Sequence, residues 1–265
     1  MYVAKISLTE VNNNSQAEML NISCEVNINA SFDHPTVLKF IKYNSNNFEN
    51  KQKPVIITEC AVNGSLSQII ELERRSLAPI LWNDTKKLII IYGIASGMSY
   101  LQANKIIHSG IKTDNILMDD KLHSDKSMTF QTESGDVYAF SMILYELLAN
   151  EILFKELTFQ QLFDKVFNRK PPSFNSIIDK AYKNLIERCW SQDPKDRPTF
   201  AQIVYELENN HDFVAQLIDE GGFLDYVEFV NEYEKCFKEK KNIQIEDFIK
   251  INQAKHLRKL IFVTT

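Results

Sequence analysis

IIHSGIKTDNILMDD, residues 106–120, sits between two helical patterns. Ahead of it, Leu88, Ile91, Tyr92, Ala95, Met98 and Gln102 recur at a spacing of about 3.6 residues, which gives a helix one face suited to a core. Behind it, Asp136 opens DVYAFSMILYELL, apolar almost all round, the pattern of a helix buried on every side at the centre of a helical lobe. Asp136 itself fits an N-cap. Further helices are expected over 158–169, 177–191 and 199–208, punctuated by Pro171, Pro172, Pro194 and Pro198.

The chain before Ser65 has a different character. MYVAKISL reads as a strand, and Ser15 with Glu18 has the capping-box spacing that starts a helix running to about Phe32. His34 and Pro35 end that helix. Strands are expected from Val37 to Tyr43 and in VIITEC, 55–60, on either side of an Asn-rich loop. Beyond Asn210, two charged, weakly amphipathic stretches around 223–237 and 245–261 predict a helical tail. The fold class is therefore α+β, divided as 1–60, 61–208 and 209–265.

Composition narrows the functional classes. The 265 residues are 44% hydrophobic, enough for a sizeable core, and 30 basic against 35 acidic residues leave a net charge of −5. That balance carries no electrostatic footprint for nucleic acid, and the Lys238–Lys241 run reads as a solvated helix end. The N-terminal stretch lacks the apolar core of a signal peptide, and no apolar stretch approaches the length of a membrane span. The four cysteines, Cys24, Cys60, Cys189 and Cys236, are too scattered for a zinc site. A cytoplasmic protein with reduced thiols is expected.

Four motifs carry a family resemblance. His108, Lys112 and Asn115 in the 106–120 stretch fall in register with the H-R-D-L-K-x-x-N catalytic loop of protein kinases. CWSQDPKDRPTF, 189–200, resembles the C-W-x-x-D-P-x-x-R-P-T-F signature of tyrosine and tyrosine-kinase-like domains, and it is the most specific of the four. Lys5 in YVAK is similar to the strand lysine that pairs nucleotide phosphates, and Glu25, ten residues before Pro35, has the spacing of its helix partner. VIITECAVNGSL, 55–66, is similar to the strand and hinge that hold adenine. The resemblance, to the tyrosine-kinase-like group, covers about residues 1–208. It implies a two-lobed fold, with Thr58 guarding the back pocket and Glu59 and Ala61 supplying hinge contacts. It also implies ATP and Mg²⁺ as cofactors, with Asn115 as a metal ligand, and structural roles for Asp136, Trp190 and Arg197.

The departures from the family are chemical. Gly110 stands where the family has the aspartate that accepts the substrate hydroxyl proton, and Ser109 where it has arginine. None of the seven glycines follows an Asp-Phe pair, so the D-F-G triplet that brings the other metal ligand is missing. The interval between NILMDD and GDVYAF is too short for a full activation segment, and with it goes the glutamate that pairs with arginine at the position of Arg197. An unpaired guanidinium would leave that arginine hydrated or its lobe strained. The first glycine is Gly64, so a reduced N-lobe is expected, without the Gly-rich loop and the family's first two strands.

The residues also have plainer readings. Lys5 alone suits a surface strand, His108 a packed histidine, Gly93 and Gly97 close helix packing, and Trp190 the core. Weighed together, the motifs predict a catalytically inactive, pseudokinase-type module that binds another protein through its helical lobe or tail, with ATP bound weakly or not at all. The alternatives are a weak serine/threonine kinase, in which Lys112 or Asp114 would replace the missing base, and a truncated fragment without function.

Overall fold

The computed structural model describes residues 2–6, 26, 30, 32–61, 63–118, 132–151, 178–214, 218–238 and 260–262. Glu25, the helix expected over 158–169 and most of the helix expected after Ser15 lie outside the described residues, although Val26 and Ala30 are helical.

Three strands form an antiparallel sheet in the order β1 (Tyr2–Ile6), β3 (Val55–Glu59), β2 (Phe40–Asn44). β-branched residues dominate β3, which is the central strand and faces both neighbours, as expected for side chains that pack well on a pleated surface. Its register sets Lys5 opposite Ile56 and Val3 opposite Thr58, while β2 meets it through an irregularity between Phe40 and Lys42.

The helical lobe begins at α1 (Leu66–Arg74), where Ser65 and Gln68 exchange side-chain and backbone bonds in a capping box. α2 (Asp84–Ala103) starts at Asn83, whose side chain accepts from Lys86 N at 2.9 Å. It is buried over most of its circumference, including Gly93 and Gly97. α3 (Glu133–Ala149) is the apolar helix expected from DVYAFSMILYELL. Its cap is Thr132, which accepts from Gly135 N at 3.0 Å. Asp136 lies one turn inside, so the N-cap reading of Asp136 is corrected: Glu133, Ser134 and Gly135 already belong to the helix, and Asp136 is free for another task. α3 ends at Asn150 in the left-handed conformation, φ 54°.

α4 (Lys180–Cys189) and α5 (Phe200–Asn209) follow, the latter with a Thr199–Gln202 capping box. One core runs through all of these helices and includes Tyr92, Phe140, Trp190's neighbour Cys189 and Phe200. Burial pushes the Cys189 thiol up to about 12, which makes it an inert packing group.

The tail holds α6 (Glu220–Lys238), in agreement with the helix expected around 223–237. Phe223, Tyr226, Val227, Val230 and Tyr233 are buried along one face of it, joined by Phe229. Of the second helical stretch expected around 245–261, residues 245–259 lie outside the described residues, and at its end Leu260–Phe262 form a strand, β5, antiparallel to β4 (Ile116–Met118). The β-branched and aromatic run LIF finds an edge to pair with there, and ladder bonds outweigh a weak helical pattern.

Candidate functional site

The loop from 106 to 115 is held from below by α3. The Asp136 carboxylate, 2% exposed, accepts from the backbone N–H groups of His108 (2.9 Å) and Ser109 (2.8 Å). Burial drives its pKa above the usual aspartate range, and those two N–H donors pull the other way. Ser109 takes a left-handed backbone, φ 61°, a conformation that costs a residue with a side chain about 1–2 kcal/mol and that the Asp136 bonds offset. One turn later, Thr113 Oγ1 donates to Glu146 of α3 at 2.8 Å. Sequence reasoning missed this second tether, although Glu146 is the lone carboxylate in the apolar half of DVYAFSMILYELL and could have signalled it.

Within the loop, Gly110 N donates to His108 Nδ1 (3.3 Å) and Gly110 O accepts from Asn115 Nδ2 (2.7 Å). Asn115 is 3% exposed, and its other amide atom, Oδ1, is buried without a hydrogen-bond partner among the described residues. Lys112 is half in solvent and lies 3.7 Å from Asp114 Oδ2, while Asp114 Oδ1 accepts from Ser67 Oγ on α1 at 2.7 Å. One oxygen of the exposed Asp114 carboxylate thus meets the start of α1.

The sheet meets this loop through the segment after β3. Met118 N donates to Gly64 O (2.8 Å) and Asn63 N to Met118 O (2.9 Å), so the stretch following Ala61 is stitched to β4, the continuation of the loop. Ala61 is buried against Leu117 and Leu38. Thr58 Oγ1 donates to the Glu59 carbonyl (3.1 Å), and Glu59 N–H donates to Lys39 O (3.0 Å). Both backbone groups of Glu59 therefore have partners within the chain. Lys5 is half-buried on β1, two strand positions from the Val3–Thr58 pair.

Arg197 has partners among the described residues. Its Nε donates to Ser191 O (2.9 Å), NH1 donates to Ser134 O (2.8 Å), and its guanidinium lies 5.0 Å from the centre of the Tyr138 ring. Two carbonyls and an aromatic face among the described residues hold the guanidinium, which corrects the expectation that it is unpaired. Trp190, 4% exposed, packs at 5.0 Å on the other partner of that ring system, Tyr138, at the end of α4.

Comparison with known proteins agrees with this arrangement. The profile of the family "Protein tyrosine and serine/threonine kinase" matches residues 3–128 and 122–207, and the chain belongs to that family. The two matched pieces meet at 122–128, the interval that is too short in the sequence. "Probable serine/threonine-protein kinase drkC" of Dictyostelium discoideum is 26% identical over 78% of this chain and 31% of that protein. "Serine/threonine-protein kinase STY17" of Arabidopsis thaliana is 28% identical over 72% of this chain and 38% of its own length. The human "Receptor-interacting serine/threonine-protein kinase 3" is 27% identical over 74% of this chain and 49% of its own. The chain thus spans less than half of each of these relatives. No helix among the described residues is long and apolar enough to cross a membrane.

Kinases of this family generally use ATP and Mg²⁺. Of the residues that the resemblance sets toward nucleotide, Ala61 is buried and Lys5 is half-buried on β1. Mg²⁺ takes a near-octahedral oxygen shell, and among the described residues no group of three or more His, Cys, Asp or Glu side chains gathers around one point. The orphaned Asn115 Oδ1 is one donor toward such a shell.

Proposed function

We propose that this chain is a catalytically inactive kinase domain of the tyrosine-kinase-like group, a pseudokinase, whose role is to bind another protein through its helical lobe or tail in the cytoplasm. The observation that carries the reading is Gly110. The loop around it is anchored by Asp136, Glu146 and Asn115, yet the position where the family places its proton acceptor has no side chain. Loss of a positioned base alone removes about 10²–10⁴ in rate. The neighbouring carboxylate, Asp114, turns one oxygen to Ser67 of α1. A scaffold kept in order around absent chemistry is suited to recognition.

The test is transfer of labelled phosphate from Mg-ATP to the chain itself or to a generic protein acceptor. Transfer no greater than in the Lys5→Met variant is expected. Metal-dependent transfer that Lys5→Met abolishes would overturn the proposal.

A second reading, a weak serine/threonine kinase, draws on Asn115 Oδ1, a buried acceptor with no partner among the described residues, which suits a cation. Under it, Asn115→Ala and Lys112→Ala each abolish activity, and activity retained in both removes it. Nucleotide binding is separable from transfer. Mg-ATP at 100 times its dissociation constant would stabilise the chain by about 2.7 kcal/mol, so a melt that does not move with saturating Mg-ATP identifies a nucleotide-free scaffold.

A further inference from the structure

Helix α6 lies beyond residue 207, where the family match ends, yet it reaches the turn that leads into β2. Its N-terminus is tied to the start of α2, with Asp219 N donating to Thr85 Oγ1 at 2.8 Å and the Asp219 side chain accepting from Gly222 N at 3.1 Å. In its middle, Phe223 and Tyr226 pack edge-on against Tyr92 of α2, at 5.8 and 6.2 Å. Tyr92 OH and Asn231 Nδ2 both donate to Glu208 at the end of α5, at 2.7 and 3.1 Å. These contacts seat the helix firmly on the helical lobe.

Its last turns do something different. Tyr233 OH donates to Asp33 Oδ1 at 2.6 Å, and Glu234 Oε1 lies 3.2 Å from His34 Nε2. His34 Nδ1 accepts from Thr36 N at 3.2 Å, which leaves Nε2 as the nitrogen that carries the hydrogen toward Glu234. The His34 ring is 5% exposed and stacked at 4.8 Å on Tyr100 of α2. Tyr100 OH accepts from Asp33 N at 3.2 Å. The turn is therefore gripped between α2 on one side and α6 on the other, through the half-buried carboxylates of Asp33 and Glu234.

We propose that α6 is an internal strut that fastens the 33–36 turn to the helical lobe and so holds the sheet and the helices at one relative setting. In proteins built of two lobes, closure around a ligand takes place at a few hinge positions between them, and a turn clamped by a helix from the far end of the chain is withdrawn from that set. The inference holds whether or not the chain transfers phosphoryl groups, because it uses none of the loop from 106 to 115.

The experiment uses the full chain and the double variant Tyr233→Phe/Glu234→Ala, which removes both bonds and keeps the apolar face of α6. Amide hydrogen exchange is read over 32–38 and over α5. The variant should exchange roughly 10- to 100-fold faster over 32–38 with α5 protection unchanged, since bonds to charged groups are the stronger class. Spin labels carried on ketone-bearing residues at the exposed positions Ile41 and Tyr205 report the lobe setting. A narrow distance distribution in the parent and a broad one in the variant are expected. Asn231→Ala, which touches only the helical lobe, should leave both readouts as in the parent. Equal label distributions, or 32–38 exchange that stays at the parent rate, would overturn the proposal, as would acceleration of 32–38 only together with α5.

Discussion

Replacing Asp136 with alanine removes the one carboxylate that fixes the backbone of His108 and Ser109. Two bonds to a charged acceptor are lost, each contributing about 1.5–3 kcal/mol. Part of that loss is returned, because the carboxylate is buried and its desolvation, which raises its pKa, disappears with it. Water also reaches the half-buried loop and can satisfy the freed N–H groups. The balance is a destabilisation of about 2–4 kcal/mol, and at about 2–4 °C for each kcal/mol in a chain of this size the melting midpoint should fall by on the order of 4–16 °C. Circular dichroism of the full chain measures it. Asp136→Asn is the companion variant: an amide oxygen accepts from one N–H, while its NH₂ confronts the other, so most of the loss should persist. A fall below about 1 °C in both variants would refute the reasoning, since it would mean that Ser109 holds its left-handed backbone without help.

Asp136 also predicts a pH effect. Its folded pKa is raised above its unfolded value, so the folded state holds more protons between the two and this contribution weakens as pH rises. The advantage of the parent over Asp136→Asn should therefore widen on acidification toward the ordinary aspartate range, as followed by midpoints across pH. At the alkaline end, burial holds the phenols of Tyr92, Tyr182 and Tyr233 above their usual range, so stability should fall as pH rises past about 10, and Tyr92→Phe should flatten that fall in an alkaline titration of the melt. Arg197→Lys keeps the charge but not the fork that serves two carbonyls, and a loss of about 1–3 kcal/mol in chemical denaturation is expected. Ile80→Asp, at a fully exposed position, should change stability by no more than about 0.5 kcal/mol in the same assay.

Much of the helical lobe was legible because its signals are local. The periodicity of Leu88, Ile91, Tyr92, Ala95 and Met98 is α2, and the apolar run after Asp136 is α3. His108, Lys112 and Asn115, singled out from one short segment, do lie in one loop, closed by the bond from Asn115 Nδ2 to Gly110 O. What stayed hidden depends on partners distant in sequence or on backbone atoms. Arg197 looked orphaned because a sequence displays side chains, whereas its acceptors are the carbonyls of Ser191 and Ser134. The tail helix was readable as amphipathic from Phe223, Tyr226, Val227, Val230 and Tyr233. Nothing in that pattern says which surface the face covers. A three-residue strand such as Leu260–Phe262 is shorter than any period, and only its pairing with Ile116–Met118 defines it.

The seal on the 33–36 turn has a consequence for the order of synthesis. His34 and Glu234, like Asp33 and Tyr233, are separated by 200 positions. At about 5–20 residues per second, a ribosome needs on the order of 10–40 s to add that length, and during this time the turn has left the exit tunnel without its cover. The helices from α1 to α5 can collapse as they emerge, and the turn can meet Tyr100 early, whereas its contacts with α6 wait for residues 233 and 234. A nascent chain arrested before Glu220 should therefore present the His34 turn to chaperones, and a released one should not.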